Sequence, residues 1–243
     1  MELEVVGNAE TVNKKKVCKE QHRHMFSDGF VERHDLEQYF WTRSTVDALC
    51  RALTFEPALC CLSTPSIAQA FWVQDDRCVP LLDIDTRFSY LPGFRYWDLR
   101  DIPSLPLDGG EKFRVLVFDP PFFYIPMNEL YRAVLAVCKG DTSTKLLIGF
   151  LIREEASLLK VFKDFNLVKT KFVLEYATVK PNKWRNYALY SNVDLPDVTG
   201  LGNGIMIFQI FRNDVVSSTA GRPFSELELF LNTFGRCGYG TFS

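Results

Sequence analysis

The stretch RVLVFDPPFF (residues 114–123) places an aspartate and two prolines directly after an apolar run with a strand pattern. Proline lacks a backbone N–H and has a fixed φ, so Pro120 and Pro121 end a sheet ladder and hold a rigid, extended turn. The Pro120 carbonyl then has no ladder partner, and the Asp119 carboxylate is a second acceptor beside it. Two acceptors next to the flat ring of Phe122 can hold a planar NH2 group. The pattern predicts a site for transfer to an amine, in which catalysis is mainly positioning.

Three further acids follow predicted strands. Asp83 and Asp85 end the second strand, two residues apart and on one face, and Asp98 lies near the end of the third. In dinucleotide folds, a carboxylate at the end of the second strand accepts hydrogen bonds from two vicinal ribose hydroxyls, and Asp98 is placed to reach an adenine amino group. For each acid taken alone, a solvated strand end is the alternative. For Asp-Pro-Pro taken alone, the alternative is a simple turn, but its place after a fourth strand favours a site.

The first turn, STPS (residues 63–66), lacks the glycines of a pyrophosphate loop. This absence argues against NAD or ATP as the ligand. A ligand with adenosine and no phosphates fits better, and S-adenosyl-L-methionine is such a ligand.

The elements that must position these side chains follow from the hydrophobic pattern. Three-to-four spacing of apolar residues predicts helices at 43–53, 127–139 and 153–165. Seven strands are predicted, the last two as a closing hairpin: ALCCLSTPS (58–66), CVPLLDIDTRF (78–88), FRYWDL (94–99), RVLVFD (114–119), KLLIGFLI (145–152), FVLEYATV (172–179) and GIMIFQIF (204–211). Continuous apolar strands that alternate with helices favour a mostly parallel sheet, buried on both faces, with its ligand site at the carboxyl ends of the strands.

Composition and charge predict one ordinary domain with flanking arms. Residues 1–30 are polar and basic and are predicted to form a loosely ordered arm, residues 31–215 the main domain, and residues 216–243 a tail. The tail contains a short amphipathic helix in FSELELFLNTF, whose apolar stripe could dock a partner protein. The net charge of −2 gives no global field toward nucleic acid or membrane, so any contact with nucleic acid must come from a local patch.

Cysteine usage and hydropathy predict a cytoplasmic or nuclear protein that is not secreted. The seven cysteines are odd in number and mostly lie in apolar patterns, which is typical of reduced thiols in a core. No apolar run reaches the roughly 18 residues of a membrane span, and the polar N-terminus is no secretory signal. Cys18, His22 and His24 form the one local metal-like cluster, but a fourth ligand for a closed zinc site is not evident, so no metal is expected.

DPPF at this place is the [DN]PP[FY] motif of amino-methyltransferases. Six motifs occur in order over about residues 35–212: LEQYFWTRSTVDAL, CCLSTPS, LLDIDTRFSYL, VLVFDPPF, LLIGFLIREEASLL and NYALYSN. Together they resemble the probable N6-adenine methyltransferase family of class I, Rossmann-like enzymes. The resemblance implies an α/β fold with a mostly parallel seven-stranded sheet and helices on both faces. It also implies S-adenosyl-L-methionine as cofactor and an S-adenosylmethionine-dependent N-methyltransferase activity.

The resemblance assigns roles to residues of this chain. Gln38, Tyr39 and Phe40 would cover the cofactor, and Ser63 and Pro65 would form the turn on its methionine side. Asp83 or Asp85 would bind ribose, and Asp98 the adenine edge. The target amine would be held by Asp119, Pro120, Pro121 and Phe122. The substrate would be contacted by Phe123, Lys183, Trp184, Arg185, Asn186 and Tyr190.

Two branches of that family suggest different substrates. LLDIDTRFSYL, the phenylalanine of DPPF and the pattern N-x-A-L-Y (186–190) resemble the zinc-knuckle ribosomal-RNA adenine N6-methyltransferase. EQYFW (37–41) and the REEASLL helix resemble the lysine methyltransferase that acts on translation elongation factor 1A. The zinc-knuckle pattern of the first branch does not occur in these 243 residues.

RNA is the substrate that we expect. Phe122 would stack on a flipped or single-stranded base. Basic residues interleaved with an aromatic, at 14–23 and 180–185, suit a single strand, although a solvated surface is the alternative for each patch. In the lysine alternative the same aromatics would surround an alkyl stem, and the near-neutral charge favours this reading. A third alternative is a catalytically inactive partner subunit with a methyltransferase fold.

Overall fold

A computed structural model describes residues 31–193 of the chain as seven strands, five α-helices and short 3-10 turns. The strands are β1 (Leu59–Leu62), β2 (Leu81–Asp83), β3 (Phe94–Tyr96), β4 (Val115–Phe118), β5 (Lys145–Leu151), β6 (Val168–Lys169) and β7 (Tyr187–Ser191). The helices are α1 (Arg43–Leu53), α2 (Pro65–Asp75), α3 (Met127–Val137), α4 (Glu155–Val161) and α5 (Pro181–Trp184).

The strands form one sheet in the order β3-β2-β1-β4-β5-β7-β6. Strands β3, β2, β1, β4 and β5 are parallel, whereas β7 runs antiparallel to both β5 and β6. The predicted α/β fold with a mostly parallel, seven-stranded sheet is therefore confirmed. Leu62 is in register with both Leu82 and Phe118. Asp83, the last residue of β2, and Asp119, which follows β4, consequently lie at the same edge of the sheet.

Helices cover both faces of the sheet, as predicted. Each residue of β1 is buried, and alternate residues point to opposite faces. Cys61 belongs to a core that includes α1 and α2, and Cys60 belongs to a second core that includes α3 and α4. This burial on both faces explains why the central strands read as continuous apolar runs.

Helix α2 was not anticipated by the hydrophobic period. Seven of its eleven residues are buried, so its sequence PSIAQAFWVQD shows no polar stripe. Pro65 at its first turn suits a helix start, because proline has the helical φ and an N–H is not needed there. Thr42 starts α1 in another way: its hydroxyl oxygen accepts a hydrogen bond of 3.3 Å from the Thr45 N–H.

The prediction of a closing hairpin from 172–179 and 204–211 was wrong for its first strand. Residues 172–179 form no strand of the sheet, and the strands near this point are β6 and β7. The Ala177 N–H donates to the Phe40 carbonyl at 2.8 Å, and the Thr42 N–H donates to the Glu175 carbonyl at 2.7 Å. The segment is extended, as its alternating pattern indicates, but it pairs with the chain at 40–42.

Several predictions concern parts of the chain outside residues 31–193. These are the arm at 1–30 with its cysteine and histidines, the strand at 204–211 and the tail at 216–243. Within residues 31–193, no helix has both the length and the apolar character that crossing a membrane requires.

Candidate active site

A cleft opens at the carboxyl ends of the central strands. Its empty space, including the part open to solvent, is about 960 Å³, a size that suits a small-molecule site. Eleven residues predicted for the site line it: Gln38, Tyr39, Phe40, Ser63, Pro65, Asp83, Asp98, Asp119, Pro120, Pro121 and Phe122. They come from five separate segments of the chain, which the parallel register of the strands brings together.

Asp119 and Pro120 lie together at the cleft, at the end of β4. Oδ1 of Asp119 accepts a hydrogen bond of 2.9 Å from the Tyr176 hydroxyl. Burial raises the pKa of Asp119 well above its usual value, the Tyr176 hydrogen bond opposes that shift, and the charge of Glu32 adds to it. Within residues 31–193, no donor is hydrogen-bonded to the carbonyl of Pro120. The Asp119 carboxyl group and the Pro120 carbonyl, which are adjacent along the chain, thus give the cleft two oxygen acceptors near Phe122.

The ring of Phe122 is held among other aromatic rings. Its centroid lies 5.5 Å from Phe150, 5.7 Å from Tyr187 and 6.5 Å from Tyr176, and the planes to Phe150 and Tyr176 are nearly perpendicular. Edge-to-face packing of this kind is the geometry that aromatic pairs prefer. The ring is thus fixed in position where it borders the cleft.

Asp83 and Asp85 have different environments, although Asp83 ends β2 and Asp85 lies only two residues further on. Asp83 lines the cleft, and its Oδ1 accepts a hydrogen bond of 2.8 Å from the Asp85 N–H. Burial raises the pKa of Asp83 to about 7. The Asp85 side chain does not line the cleft and is fully buried, with Arg87 at 2.7 Å and Gln38 at 3.0 Å from Oδ2.

Burial alone would raise the pKa of Asp85, but the hydrogen bonds from Arg87 and Gln38 hold it below its usual value. Asp85 thus supports the loop, whereas Asp83 is the one of these two acids that lines the cleft. Asp98 also lines the cleft, where Arg100 binds it at 2.7 Å and lowers its pKa.

The turn after β1 brings the start of α2 to the cleft. Ser63 has a φ of 50°, in the left-handed region that a serine rarely adopts, so the chain turns sharply there. The Thr64 hydroxyl donates a hydrogen bond of 3.1 Å to the Val117 carbonyl and ties the turn to β4. Ser63 and Pro65 both line the cleft at this turn, as predicted from the sequence.

The segment at 34–40 forms another wall of the cleft. A 3-10 turn at His34–Leu36 ends at Glu37, which has a φ of 53°. Oε2 of Glu37 accepts hydrogen bonds from the N–H groups of Phe123 at 2.8 Å and Tyr124 at 2.9 Å. This wall of the cleft is therefore linked to the loop that follows DPPF.

The residues predicted to contact substrate do not line the cleft. Phe123 lies at its mouth, 61% exposed, with the Arg153 guanidinium 5.0 Å from its ring centroid. Lys183, Arg185 and Asn186 are exposed, and the Trp184 indole N–H donates to the Tyr176 carbonyl at 3.1 Å. Tyr190 is completely buried, and its hydroxyl donates to Glu155 at 3.0 Å, so it lies in the core beside α4.

Sequence reasoning missed several residues around Asp119. Glu37 and Trp41 lie in the quoted motif EQYFW but received no role of their own. Gly149 interrupts the apolar strand KLLIGFLI, and an isolated glycine within a strand indicates a close approach of other groups. Tyr176 gave no usable signal, because its segment was predicted to join the sheet.

The hydrogen-bond acceptors at the cleft fit S-adenosyl-L-methionine. Asp83 has a carboxylate for a ribose diol, and Asp98 has one for an adenine amino group. The turn at 63–66 carries no glycine-rich pyrophosphate loop. Among residues 31–193, no group of three histidines, cysteines or acids is arranged to hold a metal ion.

Comparison with solved structures finds similar chains of low sequence identity. TrmN from Thermus thermophilus is 16% identical, with a TM-score of 0.38 over 60% of this chain and 46% of TrmN, so this chain spans less than half of that protein. A TehB-like SAM-dependent methyltransferase from Corynebacterium glutamicum is 13% identical, with a TM-score of 0.41 over 74% of this chain and 97% of that one. Magnesium protoporphyrin IX methyltransferase from Synechocystis, with bound SAM, is 15% identical. The TM-score is 0.36 over 61% of this chain and 78% of that one.

A search of curated proteins finds no match to this chain. The model of the family described as "Probable N6-adenine methyltransferase" matches residues 32–194, which is more than half of the chain and includes all the cleft-lining residues. The cofactor of this chain is accordingly S-adenosyl-L-methionine, as the sequence predicted. The chain belongs to the probable N6-adenine methyltransferase family.

Proposed function

We propose that this methyltransferase acts on N6 of adenosine in RNA, such as ribosomal RNA. The observation that carries the proposal is the pair of acceptors at the end of β4, beside the fixed ring of Phe122. They are the Asp119 carboxylate and the Pro120 carbonyl, which accepts no hydrogen bond from any residue of the described range 31–193. An exocyclic NH2 group has two N–H bonds in the plane of its base. Two neighbouring acceptors with an aromatic plane suit that flat shape, because both N–H bonds can be satisfied while the base stacks.

The residues of the chain act by positioning and by charge. When bound, S-adenosyl-L-methionine supplies a methyl carbon, which the amine nitrogen takes with its lone pair while the electrons of the broken carbon–sulfur bond stay on sulfur. Asp119 and Pro120 hold the two amine hydrogens and favour the positive charge that develops on nitrogen. The nitrogen then loses one proton to water. A strong general base is not needed, since the charged nitrogen is acidic.

The exposed aromatic rings at the mouth of the cleft support the proposal that the substrate is a single-stranded nucleic acid. Phe123 and Tyr124 are 61% and 65% exposed, and Tyr124 also borders the cleft. Arg153 lies over the Phe123 ring, which adds a cation beside an exposed aromatic face. Bases stack on exposed aromatic side chains, and basic groups neighbour the phosphates, in proteins that bind single strands. An adenosine whose amine reaches Asp119 would have its neighbours near these rings.

Labelling tests the proposal directly. The purified protein is incubated with methyl-labelled S-adenosyl-L-methionine and a cell extract, and halves of the product are treated with ribonuclease or protease. We expect ribonuclease to release the label, and nucleoside analysis to identify it as N6-methyladenosine. Asp119→Ala is the control variant. It should bind the cofactor with nearly unchanged affinity in a calorimetric titration but transfer no label.

Other outcomes would replace the proposal. Label that survives ribonuclease on one protein band, recovered as methyl-lysine, would establish a protein lysine methyltransferase, and elongation factor 1A would be tested first. No label, together with no binding of the cofactor, would indicate an inactive partner subunit. Wild-type turnover in Asp119→Ala would overturn the amine-holding role of that carboxylate.

A further inference from the structure

We infer that Tyr176 is a positioning residue that orients the Asp119 carboxylate for the amine, in a niche completed by Trp41 and Gly149. The inference rests on the proposed role of Asp119 in holding the amine. It concerns residues that lie outside the DPPF motif, on three other segments of the chain.

The hydroxyl of Tyr176 fixes one oxygen of Asp119. Tyr176 is completely buried, and its hydroxyl donates to Oδ1 at 2.9 Å. Its segment is anchored from both sides, since Tyr176 forms an isolated bridge with Trp41 and its carbonyl accepts a hydrogen bond from the Trp184 indole. Because Oδ1 is engaged by a rigid donor, Oδ2 is the oxygen available to a substrate amine.

Gly149 makes room for the carboxylate on β5. A Cβ atom at this position would lie 2.7 Å from Oδ1 of Asp119, and 3.2 Å from side-chain atoms of Trp41 and Leu174. The first distance is far shorter than a normal contact between carbon and oxygen. Only glycine at this position therefore allows the Asp119 side chain to pack against β5 and accept the hydrogen bond from the Tyr176 hydroxyl.

Trp41 closes the niche. The residue is 1% exposed, lines the cleft, and its indole N–H has no hydrogen-bond partner among residues 31–193. Burial and the charge of Asp119 raise the pKa of Tyr176, whereas the nearby Trp41 side chain lowers it. The raised pKa keeps the Tyr176 hydroxyl protonated, so that it can donate its hydrogen to Asp119.

The direct test is titration of the Asp119 carboxyl in cofactor-free protein by carbon-13 NMR, with Asp119→Asn to assign its resonance. The titratable groups around this carboxyl are Glu32, Tyr176 and Tyr187. Tyr176→Phe removes a donor that favours the charged form, so the midpoint of Asp119 should rise by about one pH unit. Tyr131→Phe is the matched control, because its hydroxyl donates to a different carboxylate, Asp164, at 2.7 Å. It should leave the Asp119 midpoint unchanged.

Activity supplies the second readout. With the labelled substrate, Tyr176→Phe should lower kcat by about tenfold and move the acidic limb of kcat/KM to higher pH, with the cofactor Kd unchanged. An unchanged Asp119 midpoint together with an unchanged acidic limb would overturn the inference. The NMR titration uses neither cofactor nor substrate. Its failure is therefore distinct from failure of the proposed function, which would appear as a product other than N6-methyladenosine.

A second variant keeps the inference testable if Tyr176→Phe does not fold. Gly149→Ala leaves the tyrosine in place but displaces the carboxylate, so it should lower kcat by at least tenfold. Gly109→Ala is its control, because a Cβ atom at Gly109 meets nothing within 4 Å. Equal activity of Gly149→Ala and Gly109→Ala would contradict the niche.

Discussion

Asp83 ends β2 and Asp85 lies two residues further on, yet the pKa values of their carboxyl groups are shifted in opposite directions. Asp85 is paired with Arg87 and Gln38, which keep its pKa low against the effect of burial. At Asp83 the backbone N–H groups of Ile84 and Asp85 and the charge of Arg87 are outweighed by burial, which raises its pKa to about 7. Of these two acids, the one that lines the cleft is therefore the one whose pKa is raised toward neutral pH.

Cofactor affinity should follow the ionisation of Asp83. A ribose diol donates hydrogen bonds, so it binds the carboxylate better than the protonated acid. We expect the cofactor Kd to tighten as the pH rises from 6 to 8 in the wild type. In Asp83→Asn the affinity should be at least tenfold weaker at pH 8 and nearly independent of pH. Calorimetric titration at several pH values measures both effects.

Asp164→Asn is a suitable control for Asp83→Asn, since Asp164 lies beside Tyr131 and outside the cleft. It should retain both the affinity and the pH dependence of the wild type. If Asp83→Asn binds the cofactor as tightly as the wild type at pH 8, then Asp83 does not hold the ribose.

At the scale of elements, Glu37 connects the wall at 34–40 to the loop after DPPF. Its carboxylate accepts the N–H groups of both Phe123 and Tyr124. These two residues flank the mouth of the cleft with their exposed rings. One side chain thus couples the segment predicted to cover the cofactor to the loop at the mouth of the cleft.

Loss of this link should loosen the loop and slow the reaction. In Glu37→Ala, the amide hydrogens of Phe123 and Tyr124 lose their acceptor, so they should exchange faster with solvent. We expect kcat/KM to fall by about tenfold, because the amine and its neighbours are positioned less well. Hydrogen exchange followed by NMR and steady-state kinetics check the two effects.

Glu175→Ala offers a control for Glu37→Ala. Glu175 also accepts two hydrogen bonds, from the hydroxyls of Thr42 and Ser44, but it does not line the cleft. The exchange rates of Phe123 and Tyr124 should stay at wild-type values in this variant. Equal exchange in Glu37→Ala and the wild type would remove the proposed link.

The exposed turn around α5 is the element that tests contact with phosphates. Lys183 and Arg185 precede Tyr187, whose ring lies 5.7 Å from that of Phe122. If both cations contact a single strand, replacing them by alanine should reduce the slope of log KM against log salt by about 1.4, at roughly 0.7 per contact. Kinetics at 50 to 200 mM salt measure this slope.

Lys160 and Lys163, which lie at α4 and the turn that follows it, are the control pair for this double substitution. Their replacement by alanine should leave the slope unchanged. The same slope in both double variants would show that the α5 turn does not contact the substrate.

For the whole molecule, the buried acid of the cleft costs stability. The pKa of Asp83 is about 7 in the folded chain against a usual value of 3.8, so the folded state binds more protons between these values. Stability therefore falls as the pH rises from about 4 to 7, whereas the lowered pKa of Asp98 gives stability that is lost as the pH falls below about 4.

In Asp83→Asn the buried side chain cannot ionise, so the loss of stability with rising pH that Asp83 causes is absent. Its free energy of unfolding, relative to the wild type, should grow between pH 4 and pH 7 by up to about 4 kcal/mol and level off above pH 7. Urea denaturation of the cofactor-free proteins at pH 5, 6, 7 and 8 measures the difference. A difference that is constant over this range would mean that Asp83 is not a titrating buried acid.

Much of the fold followed from local patterns. The bounds predicted for α1 match those of the structure, and each of the first five predicted strands contains a strand of the sheet. These elements have a clear apolar period or a continuous apolar run. The apolar period did not predict α2, because this helix is buried on most sides. The pairing predicted for 172–179 was wrong, because an alternating pattern does not reveal which segment a strand pairs with.

The sequence by itself determined which polar residues stand at the strand ends: the acids at the ends of β2 and β3, the turn after β1 and the DPPF motif after β4. Their convergence could be predicted because parallel strands place their carboxyl ends at one edge. Only the tertiary structure decided that Asp83 rather than Asp85 faces the cleft, since the pairing of Asp85 with Gln38 and Arg87 joins distant segments. It also decided that Tyr176 and Gly149 shape the environment of Asp119. Such contacts depend on side-chain packing between elements far apart in the chain, which no local pattern encodes.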